Sequence, residues 1–220
     1  MNLRDIPIFE GLSDADVAEL TAVAIDKEYP RNAAVITQGE LSGSLYLIKS
    51  GRVKVSINSE NGKEVILSFL SAGEYFGEMS LFDDAPRSAT VTTIEKTVLS
   101  VLSKHDFRRC ITASPQIALH VIRDLIKRLR QADQKIESLA SLDVYNRVLK
   151  TLLSLSSMND RGQWVVRQKL SQQELANLVG ASREMVNRIL KNLSESEVIE
   201  IVDKTITILQ PDILERGERV

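Results

Sequence analysis

The sequence holds one cysteine, Cys110, in 220 residues. A single thiol excludes an intramolecular disulfide and any iron–sulfur cluster that needs several thiolates. The expectation for Cys110 is a small, semi-buried apolar residue. Long apolar runs are also lacking, and none approaches the roughly 20 residues that a bilayer crossing requires. Asp5 and Pro7 stand where a signal peptide would have its apolar stretch, so a cytoplasmic protein with no membrane partner is expected. Neither sign of charge dominates: 28 Lys and Arg against 30 Asp and Glu leave a net charge of -2. Nothing global advertises a nucleic-acid binder, although a dimer needs only a local basic surface. There is no Ser/His/Asp set, no metal-ligand spacing and no Walker-type lysine loop, so neither an enzyme nor a metal site is expected. His105 and His120 each lack a visible ligand partner, and both are assigned packing or surface roles.

What is present is enough apolar residue, 43% of the chain, for a sizeable core. Residues 13–25 read as a short helix capped by Ser13, with Asp16 three positions on and Val17, Leu20 and Val23 following. From Tyr29 to Leu102 the texture becomes short β-rich runs at 34–36, 45–48, 53–57, 65–70, 88–93 and 97–101, separated by turn residues. Val53, Val55 and Ile57 alternate with Lys54 and Ser56, as a half-buried strand requires. Asn61-Gly62 predicts a hairpin turn, since both residues tolerate positive φ. About eight short strands at this spacing suggest a compact roll or barrel.

From Pro115 the period is helical. Ile122, Leu125, Leu129, Ala132, Ile136 and Leu139 are spaced 3, 4, 3, 4 and 3, an a/d seam with Arg123, Lys127, Arg128 and Arg130 on its flanks. The pattern fits an amphipathic helix packed on its own domain, but the strict 3-4 alternation favours a parallel pair and hence a homodimer. Asp143 can cap a further helix with Val148, Leu149, Leu152 and Leu153 on its apolar face, and Met158–Gly162 reads as a loop.

Ser171-Gln172-Gln173-Glu174 is a capping box opening a helix that Gly180 can end in the left-handed conformation. Ser182 can cap a second helix over 183–194, with Val186, Ile189, Leu190 and Leu193 inward. Arg183, Glu184, Asn187, Arg188 and Lys191 are left on its outer face. A β-hairpin follows at 199–202 and 205–209, turned at Asp203-Lys204. Helix, glycine turn, polar-faced helix and wing together define a DNA-binding helix-turn-helix. Arginine can fork onto guanine O6 and N7, and glutamate can accept from cytosine N4.

The stretch Phe76 to Thr90 carries ligand chemistry. Gly77 permits close backbone approach, and the turn Ser80-Leu81-Phe82 can offer N–H groups to an anion. Arg87 supplies a charged fork, Ser88 a hydroxyl donor, and Glu78 an acceptor for a ribose hydroxyl. This stretch resembles the phosphate-binding cassette of cyclic-nucleotide-binding domains, and nearly the whole chain resembles the Crp–Fnr family of transcription regulators. The likeness also rests on Gly39, Gly51 and Gly73 in the roll, Leu139-Ala140-Ser141-Leu142-Asp143 at the hinge, and Ser182-Arg183-Glu184-Met185-Val186-Asn187-Arg188.

The resemblance implies an α+β fold: a sensor β-roll over 1–114, a dimerisation helix and hinge over 115–142, and a winged helix-turn-helix over 143–220. It implies a cyclic nucleotide as effector, held by Gly77, Glu78, Met79, Ser80, Arg87 and Ser88, with Arg128, Ala132 and Asp133 of the long helix beside the base. It further implies a two-fold dimer on palindromic double-stranded DNA, with Ser182, Arg183, Glu184, Asn187, Arg188 and Lys191 at the DNA and a TGTGA-like half-site. RNA polymerase is the remaining implied partner. Its family contact loop, here around Ser156–Gly162, is short, which leaves activation through other surfaces, or repression.

One departure bears on the ligand. The cAMP-responsive members place a threonine–serine pair where this chain has Ala132-Asp133. Alanine makes no side-chain hydrogen bond, and an ionised aspartate only accepts. Asp133 can take an adenine amino group or guanine N1 and N2, so cAMP, cGMP and cyclic di-GMP all stay open, as does a solvated Asp133. A regulatory subunit acting on a protein partner and a ligand-independent regulator are the competing functions.

Overall fold

A computed structural model describes residues 6–9, 12–166 and 169–217. Residues 1–5, on which the targeting expectation rests, lie outside them. The chain divides into two compact units, Met1–Arg130 and Gln131–Val220, each described by itself. No helix among the described residues is long and apolar enough to cross a membrane.

In the first unit a 3-10 turn, Pro7–Phe9, precedes α1, Asp14–Val23. Ser13 caps α1 in a full capping box with Asp16. The helix stops two residues before the expected end, because Ile25 opens β1 (Ile25–Tyr29), which pairs antiparallel with β8 (Thr97–Ser103). The other strands are β2 (Ala34–Ile36), β3 (Ser44–Ser50), β4 (Arg52–Asn58), β5 (Glu64–Ser71), β6 (Tyr75–Phe76) and β7 (Thr90–Thr93). They form two four-stranded sheets, ordered β1-β8-β3-β6 and β2-β7-β4-β5.

Alternation decides which side chains enter. Leu45, Val53, Val91 and Leu102 are buried between less buried strand neighbours, whereas Leu47 with Ile48 and Leu99 with Ser100 are buried side by side. One core cluster gathers Ile36, Ile48, Val53, Leu70, Phe76, Val91 and Leu99. A second gathers Phe9, Leu20, Leu45, Leu47, Leu102 and Phe107 with two residues of the long helix. The expected hairpin at Asn61-Gly62 joins β4 to β5, but by a different backbone geometry. Gly62 is at positive φ, but Asn61 is not among the positive-φ residues. Instead the Asn61 side chain accepts from the Ser59 hydroxyl and the Lys63 N–H, holding a five-residue loop.

The cassette forms a single helical turn, α2 (Met79–Phe82), and α3 (Lys104–Ala113) follows β8. The α3 helix was not anticipated, although Ser103 caps it and Asp106 sits in its first turn. Cys110 packs against the second core cluster, and burial pushes its thiol up to about 11. The 27-residue α4, Pro115–Ser141, presents two apolar stripes. Ile117, Val121 and Leu125 face the sensor core, while Leu119, Ile122, Ile126 and Leu129 stay exposed, as do Ile136 and Leu139 further on. Leu125 therefore leaves the expected seam for the chain's own core, and Ile126 joins the outward face.

The second unit contains α5 (Val144–Leu155), α6 (Gln172–Val179), α7 (Arg183–Glu195) and α8 (Pro211–Arg216). Its sheet orders β11-β12-β10-β9. Here β9 is Ser156–Met158, β10 is Trp164–Val166, β11 is Ile199–Val202 and β12 is Thr205–Ile208. Met158 thus ends a strand rather than opening a loop, and the turn proper is 159–163. Asp203 and Lys204 both adopt positive φ (49° and 64°), giving the two-residue hairpin turn expected of the wing.

Candidate functional sites: an anion cradle and a reading helix

The cradle is built from the loop before β3, the strand β6, the turn α2 and Arg87. Gly77 at φ 86° is where only glycine fits: an added Cβ would stand 2.7 Å from the Ser44 carbonyl oxygen and 2.8 Å from Arg87 Nη1. Arg87 is buried (4% exposed) and donates four hydrogen bonds within the chain. Nε donates to Ser42 Oγ at 2.8 Å, Nη1 to the Gly77 carbonyl at 2.7 Å and Ser80 Oγ at 2.8 Å, and Nη2 to the Ser44 carbonyl at 2.9 Å. Desolvation lowers its pKa, and nearby Tyr46, Glu78 and Glu40 oppose that. The fork expected to suit a phosphodiester also engages protein acceptors.

Glu78 is buried too, and its carboxylate lies 3.3 Å from Arg128 Nη1 of α4. Arg128 also donates to the Tyr75 carbonyl at 2.9 Å and to Asp124 at 2.8 Å, and stacks its guanidinium 4.9 Å from the Tyr75 ring centroid. Burial, then the nearby Asp124 carboxylate, raises the Tyr75 phenol far above its ordinary range. Ser80 Oγ donates to the Ser42 carbonyl at 3.1 Å, and the exposed Ser88 hydroxyl donates to the Met79 sulfur at 3.4 Å.

The structure thus brings Gly77, Glu78, Met79, Ser80, Arg87, Ser88 and Arg128 together. Ala132 and Asp133 are exposed on α4 within the second unit. Ser42, Ser44, Tyr75 and Asp124 escaped the sequence reading. Ser42 precedes β3 and Ser44 opens it, more than thirty residues upstream, and only the sheet pairing brings them to Arg87. Chemically, the cradle offers one buried carboxylate, one exposed hydroxyl and a guanidinium held in place, a set suited to a sugar phosphate. Among the described residues no His/Cys/Asp/Glu group is arranged to hold a metal.

The reading helix is α7. In the preceding α6, Ser171 and Glu174 complete a capping box, the Glu174 carboxylate accepting the Ser171 N–H at 2.8 Å. Gly180 ends α6 at φ 65°, ψ 43°, and Ser182 caps α7 by accepting from the Met185 N–H at 3.2 Å. Val186, Ile189, Leu190 and Leu193 are buried, which orients the helix. Arg183, Glu184, Asn187, Arg188 and Lys191 are all exposed, and α7 runs one residue past its expected end. Gln172 Nε2 donates to Asn187 Oδ1 at 2.8 Å, which engages one of the expected polar contacts within the helix pair. Backbone and Ser182 hydrogen bonds hold the Glu184 carboxyl below its usual value. Arg147, also unforeseen, donates to the Val179 carbonyl at 2.8 Å and the Leu142 carbonyl at 2.7 Å, tying the hinge to the end of α6.

Known proteins match this arrangement in both units. The cyclic nucleotide-binding domain family matches residues 26–114, and the Crp-like helix-turn-helix domain family matches residues 146–216. The chain is 34% identical over 215 residues to a CRP-like cAMP-activated global transcriptional regulator of Mycobacterium tuberculosis, covering 96% of each chain. It is 37% identical over 187 residues to the cAMP-activated global transcriptional regulator CRP of Escherichia coli, covering 82% of this chain and 88% of that one. Among solved structures, the c-di-GMP responsive global regulator CLP of Xanthomonas campestris aligns with a TM-score of 0.77 and 30% identity, over 89% of this chain and 99% of that one.

Proposed function

The chain belongs to the Crp–Fnr family of transcription regulators, and from that premise we propose a homodimer that couples a cyclic nucleotide in its β-roll to a palindromic DNA site. It is a DNA-binding regulator rather than an enzyme. The observation that carries the coupling is the Glu78–Arg128 contact, which joins the cradle to the long helix at 3.3 Å. A ligand hydroxyl accepted by Glu78 competes with Arg128, so occupancy bears on α4 directly.

In this reading Gly77, Glu78, Met79, Ser80, Arg87 and Ser88 hold the sugar phosphate, and Arg128, Ala132 and Asp133 stand by the base. The names of the M. tuberculosis and E. coli relatives support cAMP, and that of the X. campestris protein supports a guanine dinucleotide with Asp133 as acceptor. The exposed stripe Leu119, Ile122, Ile126 and Leu129 pairs two copies. Arg183, Glu184 and Arg188 read base edges in a TGTGA-like half-site, while Ser182, Asn187 and Lys191 contact the backbone and flanks. The setting is the cytoplasm. RNA polymerase is the further partner, and the turn at 159–163 presents Asp160 and Arg161, with Asn159 Oδ1 accepting the Arg161 and Gln163 N–H groups at 2.9 Å.

Calorimetry with cAMP, cGMP and cyclic di-GMP, coupled to affinity for one palindromic duplex, tests this. Nucleotide binding that tightens the duplex is expected; duplex affinity indifferent to all three removes the coupling. One observation favours a second reading. Arg87 donates four hydrogen bonds to protein acceptors that tie the cassette to β3, a structural role that a ligand-independent regulator would also use. Full duplex affinity without nucleotide decides for it.

A further inference from the structure

We infer that Lys104, assisted by Arg108, is a positioning residue for phosphate recognition: it clasps the α2 turn and neutralises Asp84 beside the cradle. The inference rests on the nucleotide-sensing reading above. One face of α3, carrying Lys104, Phe107 and Arg108 at helical spacing, is turned onto the cassette. The Lys104 ammonium donates to the Asp84 carboxylate, and lies 3.5 Å from the Ser80 carbonyl oxygen. Arg108 Nη2 donates to the Leu81 carbonyl at 3.2 Å and stands 3.8 Å from Asp84. Phe107 meets Phe82 edge-on, with ring centroids 6.1 Å apart. Two cations and an aromatic ring thus close over the carbonyl end of the α2 turn.

Lys104 also reaches the other wall of the cradle. Its backbone N–H donates to the Gly43 carbonyl at 3.1 Å, and its stem lies so close that a Cβ on Gly43 would stand 3.3 Å from Lys104 Cδ. Gly43 adjoins Ser42 and Ser44, the residues that fix Arg87 and Ser80. Asp84 is the non-glycine residue of the cassette held in the left-handed region, at φ 56°. That conformation costs energy without anchors, and the Lys104 and Arg108 contacts supply them. Without them, an uncompensated carboxylate would sit three residues before Arg87 and four before Ser88, where an anionic ligand is to be received.

The inference predicts discrimination between a nucleotide and its nucleoside. Full-length wild type and Lys104→Met are titrated calorimetrically with cAMP, cGMP and cyclic di-GMP, with adenosine and guanosine as phosphate-free probes. Lys104→Met is expected to weaken the cyclic nucleotide about fivefold, in the range of an exposed ion pair, and the nucleoside less than about twofold. Lys104→Arg restores affinity, and Asp84→Asn added to Lys104→Met recovers part of it. Unchanged nucleotide affinity in Lys104→Met, or a proportional loss of nucleoside, overturns the clasp while leaving the sensor intact. A wild type that binds no cyclic nucleotide overturns the sensor reading, and the clasp with it.

Discussion

The Glu78 carboxylate meets the Arg128 guanidinium at 3.3 Å, with Glu78 almost wholly buried and Arg128 about one third exposed. Removing the cation leaves a buried charge short of a partner. Arg128→Met is expected to lower the stability of the sensor by about 2–3 kcal/mol. Glu78→Gln with Arg128→Met should cost less than the sum of the single changes. Scanning calorimetry that resolves the sensor transition measures both; strict additivity would show the two groups to be uncoupled.

Gly77→Ala forces a Cβ into positive φ and against the Ser44 carbonyl and Arg87. A loss of about 2–4 kcal/mol is expected, with the cradle disordered in its amide exchange. A variant as stable as wild type would contradict the packing described here.

The outward stripe of α4 predicts assembly. Ile122→Glu with Leu129→Glu places charges on a seam whose other positions are apolar, so sedimentation should read half the wild-type mass. The sensor fold should persist, because Ile117, Val121 and Leu125 are untouched. If the double variant sediments as wild type does, this stripe is not the dimer contact.

On the reading helix, Arg188→Ala should cost about 1–3 kcal/mol of specific binding and relax preference at one base pair. Lys191→Ala should weaken all duplexes alike and reduce the salt slope by about one. Competition binding across a half-site library separates the two; a loss at Lys191 confined to one sequence would reverse their roles.

Burial that lifts the Cys110 thiol to about 11 leaves on the order of a thousandth of it as thiolate at pH 8. The raised value disfavours the folded state once pH passes the unfolded thiol's value: the unfolded chain ionises first, so stability falls between roughly 9 and 11. Iodoacetamide at pH 8 should label the native protein slowly and the guanidinium-unfolded protein readily. Equal rates would contradict the burial of the thiol.

Local chemistry made most of the second unit legible. The capping box Ser171–Glu174, the glycine at 180 and the cap Ser182 act over three or four residues, so the sequence displays them directly. The cassette was readable for the same reason, since Gly77 to Ser88 is contiguous. What escaped was long-range. Nothing near Ser42 or Ser44 announces that each will accept from Arg87, because antiparallel pairing of β3 with β6 and β8 brings them there. Leu125 was assigned to the seam because periodicity shows an apolar face but not which of two neighbours will cover it. The sequence shows the loop at Met158–Gly162 but not the strands on either side of it, because Ser156 and Ser157 carry no apolar alternation.

The two apolar stripes of α4 stand in a fixed angular phase. Each residue turns the helix by about 100°, so one residue inserted between Leu125 and Ile126 would rotate Ile126 and Leu129 away from the direction of Leu119 and Ile122 while leaving the inward anchors seated. Four inserted residues would bring them nearly back, at about 40° of excess. The angular offset between Ile117–Val121–Leu125 and Leu119–Ile122–Ile126–Leu129 is thus a geometric constant of this chain, written into spacing rather than into any single side chain.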